Sequence, residues 1–445
     1  MRAFILRAVR GGLLAVALCA VAAALAAPTL AQSNGNGTIY SRYGIGSLKT
    51  FSSSQSAALG GGGYALRSLN YNPMGNPALW SDQVFTRLSA GGSFERIQAT
   101  GTQDQTSRLS SGSVDAVHFN FPLYERTLGV GMSFQPYSVS NYQVLRTNDD
   151  PSGGIPPYEV NYQGTGGLYS VRGGLGYEVS DMLRVGASLD VIFGIVESQR
   201  RTEFDVSSSA LRNTVVSDAT RLSGVSGTVG AHLSFDNVLA EEDVVSFGGA
   251  VELPTTLDGR RVRTLDEDLA RDTLSSVQGE ASLPWRARMG LAYQPNDRWS
   301  FVLDGTFEPW STFSTTFSSP SESRFNRQFP VGGAETLTDR WRLSAGAELA
   351  PSADGGLTGF FERVGYRLGG YTEQLYVQPN DQNVQVYAAT GGLSLPSSLP
   401  GTRIDLNLEA GVRGPRDGSF VRDVFYGVSV HVNFGERWFQ QRRLR

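Results

Sequence analysis

The stretch WRARMGLAYQPNDRWSFVLDGTFE, residues 285–308, decides the architecture of this chain. Trp285, Ala287, Met289, Leu291 and Tyr293 are apolar, and Arg286, Arg288, Gly290 and Gln294 fill most of the gaps. After the turn Pro295-Asn296-Asp297 the apolar set resumes as Trp299, Phe301, Leu303, Gly305 and Phe307, against Ser300, Asp304, Thr306 and Glu308. A period of two marks a strand with unlike faces. Aromatics close both ends of the apolar rows, and each strand has about the nine to eleven residues that a tilted strand needs to cross a bilayer. The spacing therefore predicts a transmembrane β-hairpin.

The same alternation recurs along the chain. It predicts strands at 84–98, 114–121, 128–137, 168–177, 183–196, 215–235 and 244–253, and then at 285–293, 299–307, 341–349, 357–368, 384–395, 404–412 and 424–434. The even total of about fourteen suits a bacterial barrel. Short links (122–127, 180–182, 295–298, 396–401) alternate with long polar ones (138–167, 254–282, 311–339). Short turns mark the periplasmic end and long loops the outside, which places both termini in the periplasm. Trp285, Trp299, Trp310 and Trp341 stand at strand ends, where interfacial girdles form.

Composition supports a barrel over a helical membrane protein. With 53 glycines, 10% aromatics and a mean hydropathy of -0.19, the chain has no run of about twenty apolar residues after its leader. That leader, residues 1–31, has Arg2, Arg7 and Arg10 before an apolar stretch, and Thr29-Leu30-Ala31 as a small-residue cleavage site. The expected destination is the bacterial outer membrane. Cys19, the only cysteine, lies in the leader, so the mature chain has no disulfide and no cysteine metal site. Losing the leader arginines takes the formal charge from -4 to -7, with no basic tail to suggest nucleic acid. Lys49 is the sole lysine.

Residues 32–82 do not alternate. They are rich in Gly, Ser and Ala, contain the run Gly60 to Gly63, and end in Tyr71-Asn72-Pro73-Met74-Gly75-Asn76-Pro77-Ala78-Leu79-Trp80. Paired Asn-Pro steps favour turns. A free periplasmic tail is one reading. The other is a compact plug folded into the lumen, since Ala57, Ala58, Leu59, Leu66, Leu69 and Leu79 are unlike a charged linker. The barrel then spans 83–434. The strand Val424, Tyr426, Val428, Val430, Val432, Phe434 looks like the signal read by barrel-assembly machinery, although a tail, 435–445, follows it and offers Phe439 as a second end.

Signs of catalysis, a metal or a cofactor are lacking. His118, His232 and His431 lie on different strands without ligand spacing, and Gly60 to Gly63 lacks the Lys and Ser/Thr of a phosphate loop. If apolar residues face lipid, then Arg172, Glu178, Arg184, Asp190, Glu252, Arg286, Arg288, Asp304, Glu308, Arg342, Glu348, Asp405 and Glu409 face inward. Either these charges pair across the wall, or some of the arginines, with Arg172, Arg286, Arg288 and Arg342 as candidates, meet an anionic head group.

At Asn72-Pro73 and Asn76-Pro77-Ala78, followed by about fourteen strands, the chain resembles the FadL-type family of outer-membrane transporters for long-chain fatty acids and other hydrophobic compounds. The resemblance reaches the third strand, where Leu128-Gly129-Val130-Gly131-Met132-Ser133-Phe134 leads into Pro136-Tyr137. It implies an all-β transmembrane antiparallel barrel with an N-terminal plug, passive uptake of hydrophobic compounds, and lateral release through a kinked third strand. Gly129, Gly131 and Pro136 are the candidate gate, because each weakens regular pairing; alternatively Pro136 simply ends the strand at the outer rim. Related barrels act as subunits of protein-secretion systems, so a scaffold with a secretion-complex partner stands beside the transporter with hydrophobic small molecules or lipids as its ligands.

Overall fold

The computed structural model describes residues 37–437 apart from 103, 149–155, 205–211, 268–269, 318–328, 332, 353–358, 398, 400 and 416–417. The leader, the second candidate end Phe439 and most of the tail lie outside these residues.

In chain order the strands are β1 (Ser47–Leu48), β2 (Thr86–Thr100), β3 (Thr106–Tyr124), β4 (Leu128–Val139), β5 (Tyr142–Asn148), β6 (Tyr158–Glu178), β7 (Leu183–Phe204), β8 (Thr214–Asp236), β9 (Val244–Glu252) and β10 (Thr255–Glu267). They continue as β11 (Ala270–Leu283), β12 (Arg286–Gln294), β13 (Trp299–Glu308), β14 (Ser314–Thr315), β15 (Arg340–Leu349), β16 (Gly365–Gln374), β17 (Gln385–Pro396), β18 (Arg403–Gly414) and β19 (Arg422–Glu436). All pairing is antiparallel, and β19 closes on β2 from Arg422↔Thr100 to Glu436↔Thr86. β4 with β5 runs along β6, β9 with β10 runs along β8, and β12 with β11 follows them, so these pairs are single staves broken by a kink. The wall is a closed barrel of 14 staves, with β1 inside it. Closure leaves no sheet edge in lipid, the condition for a strand protein to span a membrane.

The founding hairpin pairs as its pattern predicts, from Ala287↔Phe307 to Tyr293↔Phe301. Leu189, Met289, Leu303, Leu368 and Leu408 are exposed on the lipid side, whereas Arg286, Arg288, Asp304 and Glu308 are buried on the lumen side. Three expectations are corrected. The link 254–282 is not a loop: Thr255↔Leu283 to Glu267↔Ala270 make it a hairpin that extends the wall, with Leu257, Ala281 and Leu283 buried on its inner face. The eleventh strand begins at Gly365 and not 357; a single turn of 3-10 helix, Phe360–Arg363, precedes it and makes this periplasmic link longer than a tight turn. Trp310 is no girdle residue. It is fully buried, and its indole Nε1 donates to Glu308 at 2.9 Å.

The barrel is filled. Toward the outer end, Leu168, Ile192, Leu222 and Leu257 from the wall pack with Tyr40 and Ile45 of the N-terminal segment and with Trp310, Phe317, Phe329 and Tyr376 from segments folded back into the mouth. The plug occupies the periplasmic half. It contains a short helix α1 (Ser54–Ala58), capped by Ser53, and a 3-10 helix, Pro77–Asp82. Residues 38–83 are largely buried, so the segment is a plug and not a free tail.

Candidate functional site: the plugged lumen and the seam in its wall

The Asn-Pro motif works as a helix start. Asn76 Oδ1 accepts the Ala78 N–H at 3.1 Å, while Nδ2 donates to the carbonyls of Tyr64 and Ala231, each at 3.0 Å. Pro77 fills the first helical position, where its missing N–H costs nothing. Asn72 and Ala78 are buried in the same turn, and the Pro73 carbonyl accepts the Trp80 indole N–H at 3.1 Å.

This turn lies on a lane of glycines. Gly129, Gly176, Gly186 and Gly230 stand directly opposite one another on β4, β6, β7 and β8. A Cβ at Gly129 would lie 1.8 Å from the Trp80 carbonyl oxygen, at Gly176 2.5 Å from that of Pro77, at Gly186 2.4 Å from the Pro77 carbonyl carbon, and at Gly230 2.3 Å from Asn76 Oδ1. A Cβ at Gly131 would lie 2.5 Å from the Trp80 ring. The candidate-gate residues Gly129 and Gly131 are paired on both sides, with Pro122 and Gly176 and with Asn120 and Gly174, and the β3–β4 register shifts just beyond the Gly129 pair. The plug explains their missing side chains, the Trp80 backbone at Gly129 and the Trp80 ring at Gly131.

Buried charges tie the plug to the wall. Asp82 takes Arg67 of the plug and Arg184 of β7, each at 2.9 Å. The turn at Gly60 to Gly63 wraps a carboxylate: the N–H groups of Gly63 and Tyr64 donate to Asp304 at 2.7 and 2.9 Å. Consecutive N–H groups make an anion nest, and here the anion is the protein's own. Asp405 accepts from Ser54 at 2.6 Å and from Tyr71 at 3.0 Å, with Arg367 at 3.3 Å. Burial, opposed by the Arg367 guanidinium, pushes the Tyr71 phenol up to about 12, so it remains a donor.

The four candidate anion-binding arginines all have internal partners. Arg172, Arg286 and Arg288 converge on Glu252 at 3.4, 3.3 and 3.0 Å, and Arg172 also bonds Asp190 and the Met74 carbonyl. Arg286 meets Glu308 at 2.9 Å, and Arg340 continues the chain from Glu308 to Glu373. Arg342 belongs to that second group: it meets Glu373 at 3.1 Å and the Gly60 carbonyl at 2.7 Å, with its guanidinium 3.5 Å over the Tyr371 ring. Buried charges persist only when paired, and each arginine of this network meets a carboxylate.

The register shifts at several places in the wall, at Gly91/Gly92, Pro122/Tyr124, Pro136/Ser138 and Arg263/Thr264, and at the third of these two neighbouring strands also part. β3 and β4 pair from Tyr124↔Leu128 to Val117↔Phe134 and then part. Pro136 lies beyond the last pair, still opposite Tyr169 on β6, and the register slips between Pro136 and Ser138. Pro136 therefore sits within the strand and not at its end, on a stretch with no ladder to β3 for its missing N–H to interrupt. Asn141 Nδ2 reaches Ser111 Oγ across the seam at 3.3 Å, and β1 lines its inner side through Ser47↔Val139 and Leu48↔Ser138. Phe51 of the plug stacks on His431 at 4.9 Å between ring centroids and lies 5.5 Å from His118. His232 stands apart against the Ala65 carbonyl, and no metal-binding cluster forms among the described residues.

A cavity of about 270 Å³ runs inward from the seam. Ser111, Val139 and Asn141 lie at its wall side, and Lys49, Glu95, Arg342, Glu373, Glu409 and Arg413 make it polar. Periodicity could not find the glycine lane, because the four positions share a row only after the strands take register. Lys49 carried a weak sign in being the sole lysine.

By structure, a FadL homologue from Pseudomonas aeruginosa aligns at a TM-score of 0.56 and 12% identity, covering 88% of this chain and 98% of that one. The Pseudomonas putida toluene transporter TodX aligns at 0.54 and 15%, covering 88% of this chain and 100% of TodX. At such identities the likeness is one of fold, and it bears out the FadL-type architecture. A search by sequence finds no match among curated proteins. The BamG family profile matches residues 14–445, nearly the whole chain. The chain belongs to the BamG family, built on a FadL-type outer-membrane barrel.

Proposed function

We propose that this protein is a non-enzymatic outer-membrane barrel that works as a binding or scaffold subunit of a larger protein complex, of the kind that secretes proteins or assembles barrels. The observation that carries this reading is the filled lumen. An apolar core occupies its outer end and an ion-paired plug its periplasmic half. The cavity left between them carries Lys49, Glu95, Arg342, Glu373, Glu409 and Arg413 among its lining residues. The test is gentle extraction from native membranes followed by native mass spectrometry. A stoichiometric protein partner is the expected result; a monomer that shows saturable uptake of a labelled hydrophobic compound in proteoliposomes overturns it.

A second reading, passive uptake of hydrophobic compounds with lateral release, is favoured by the seam beside Pro136, by the cavity that reaches it, and by likeness of fold to TodX. The leader holds the chain's only cysteine, so Ser111→Cys with Asn141→Cys would lock the seam selectively. Uptake that disappears on oxidation and returns on reduction supports this second reading. Uptake indifferent to the lock removes it.

A further inference from the structure

On the lipid side of β2, β3 and β19, just above the aromatic belt, stand three exposed arginines. Phe94 and Tyr426, 54% and 59% exposed, mark the interface. Arg96 is opposite Tyr426 and two residues outward of Phe94; Arg108 is opposite Gln98; Arg422 is opposite Thr100. Alternation puts all three on the outer face, since Ile97 and Phe425 between them point inward and are buried. Among the described residues none of the three has an ion pair or side-chain hydrogen bond. The acids of these strands serve the lumen: Glu95 and Asp423 meet Arg413, and Asp115 meets His431.

Strand spacing fixes the size of this patch. Arg96 and Arg108 are diagonal neighbours, about 7–8 Å apart at Cα. Arg422 lies two strands and two residues from Arg108, about 12 Å away. Guanidinium groups pair with phosphate bidentately. Three of them over that span match two phosphates carried on a small sugar headgroup, at the depth where such headgroups lie. We propose that this patch is a binding site for a phosphorylated glycolipid of the outer leaflet, held by Arg96, Arg108 and Arg422 with its acyl chains against Phe94 and Tyr426.

The test is native mass spectrometry of the full-length protein in nanodiscs, titrated with a bis-phosphorylated acyl disaccharide lipid. The comparison probes are its dephosphorylated form and inorganic phosphate. Retention should weaken about fivefold for each arginine lost and about a hundredfold for R96Q/R108Q/R422Q, at roughly the surface value of one basic residue each. Arg201→Gln, elsewhere on the outer extension, should bind as the parent does. Heat-modifiable migration reports that each variant is folded; should the triple variant not fold, Arg108→Gln alone carries the test. Undiminished binding by the variant, equal binding of the dephosphorylated lipid, or displacement of the lipid by micromolar inorganic phosphate would each overturn the assignment.

Discussion

The two halves of the lumen are closed by different physics. Toward the periplasm the plug lies backbone against backbone on the glycine lane; its Asp82 is met by Arg184 of the wall, and the wall's Asp304 and Asp405 accept its N–H and hydroxyl groups. Toward the outside the seal is an apolar core of Trp310, Phe317, Phe329, Tyr376 and the wall residues Leu168, Leu222 and Leu257. Apolar burial is non-directional and tolerates volume-conserving exchange. Paired charges, and glycines at which an added Cβ would meet backbone below 3.0 Å, tolerate almost none. The periplasmic half therefore specifies one position of the plug, and the outer half supplies adaptable stability.

The largest expected effect is on the periplasmic half. Gly186→Val should prevent the plug from seating, because its Cβ alone meets the Pro77 backbone at 2.4 Å and neither backbone can yield in a closed barrel. Heat-modifiable migration should be lost, or the plug should become open to protease in intact outer membranes. A variant that folds with a protected plug would erase the proposed difference between the halves.

Next comes Glu252→Gln, which leaves Arg172, Arg286 and Arg288 sharing a lost carboxylate. Unpaired buried charge costs about 3–5 kcal/mol, read as a lower urea midpoint for unfolding from detergent micelles. A cost below 1 kcal/mol would mean that water already reaches these arginines. Trp310→Phe, at the outer end, should cost less: the packing is largely kept, and the hydrogen bond to Glu308 is worth about 1.5–3 kcal/mol. If it costs more than Glu252→Gln, the outer core is the more specific half and the comparison reverses. Smallest is Arg201→Gln, which breaks an exposed pair with Glu203 on the outer extension and should change stability by at most about 1 kcal/mol.

The amino-acid order by itself determined the barrel. Period-two alternation needs only neighbouring residues to be read, and each strand declares which side meets lipid because lipid will not accept Arg286 or Glu308. The inward charged row was legible for the same reason. Register, and what it brings together, was left to the tertiary structure. Gly129, Gly176, Gly186 and Gly230 come from four different strands, and their meaning appears only when they align beneath Pro77 and Trp80. The same holds for Trp310, whose place at a strand end suits a girdle until the chain folds back into the mouth and buries it. The polar stretch 254–282 reads as a loop because its many charged and hydroxyl residues, some of them buried as Arg263 is against Asp218, blur the alternation, and only pairing reveals it. Local pattern records which surface a residue faces; partners hundreds of residues away are set by closure of the sheet, which no local window contains.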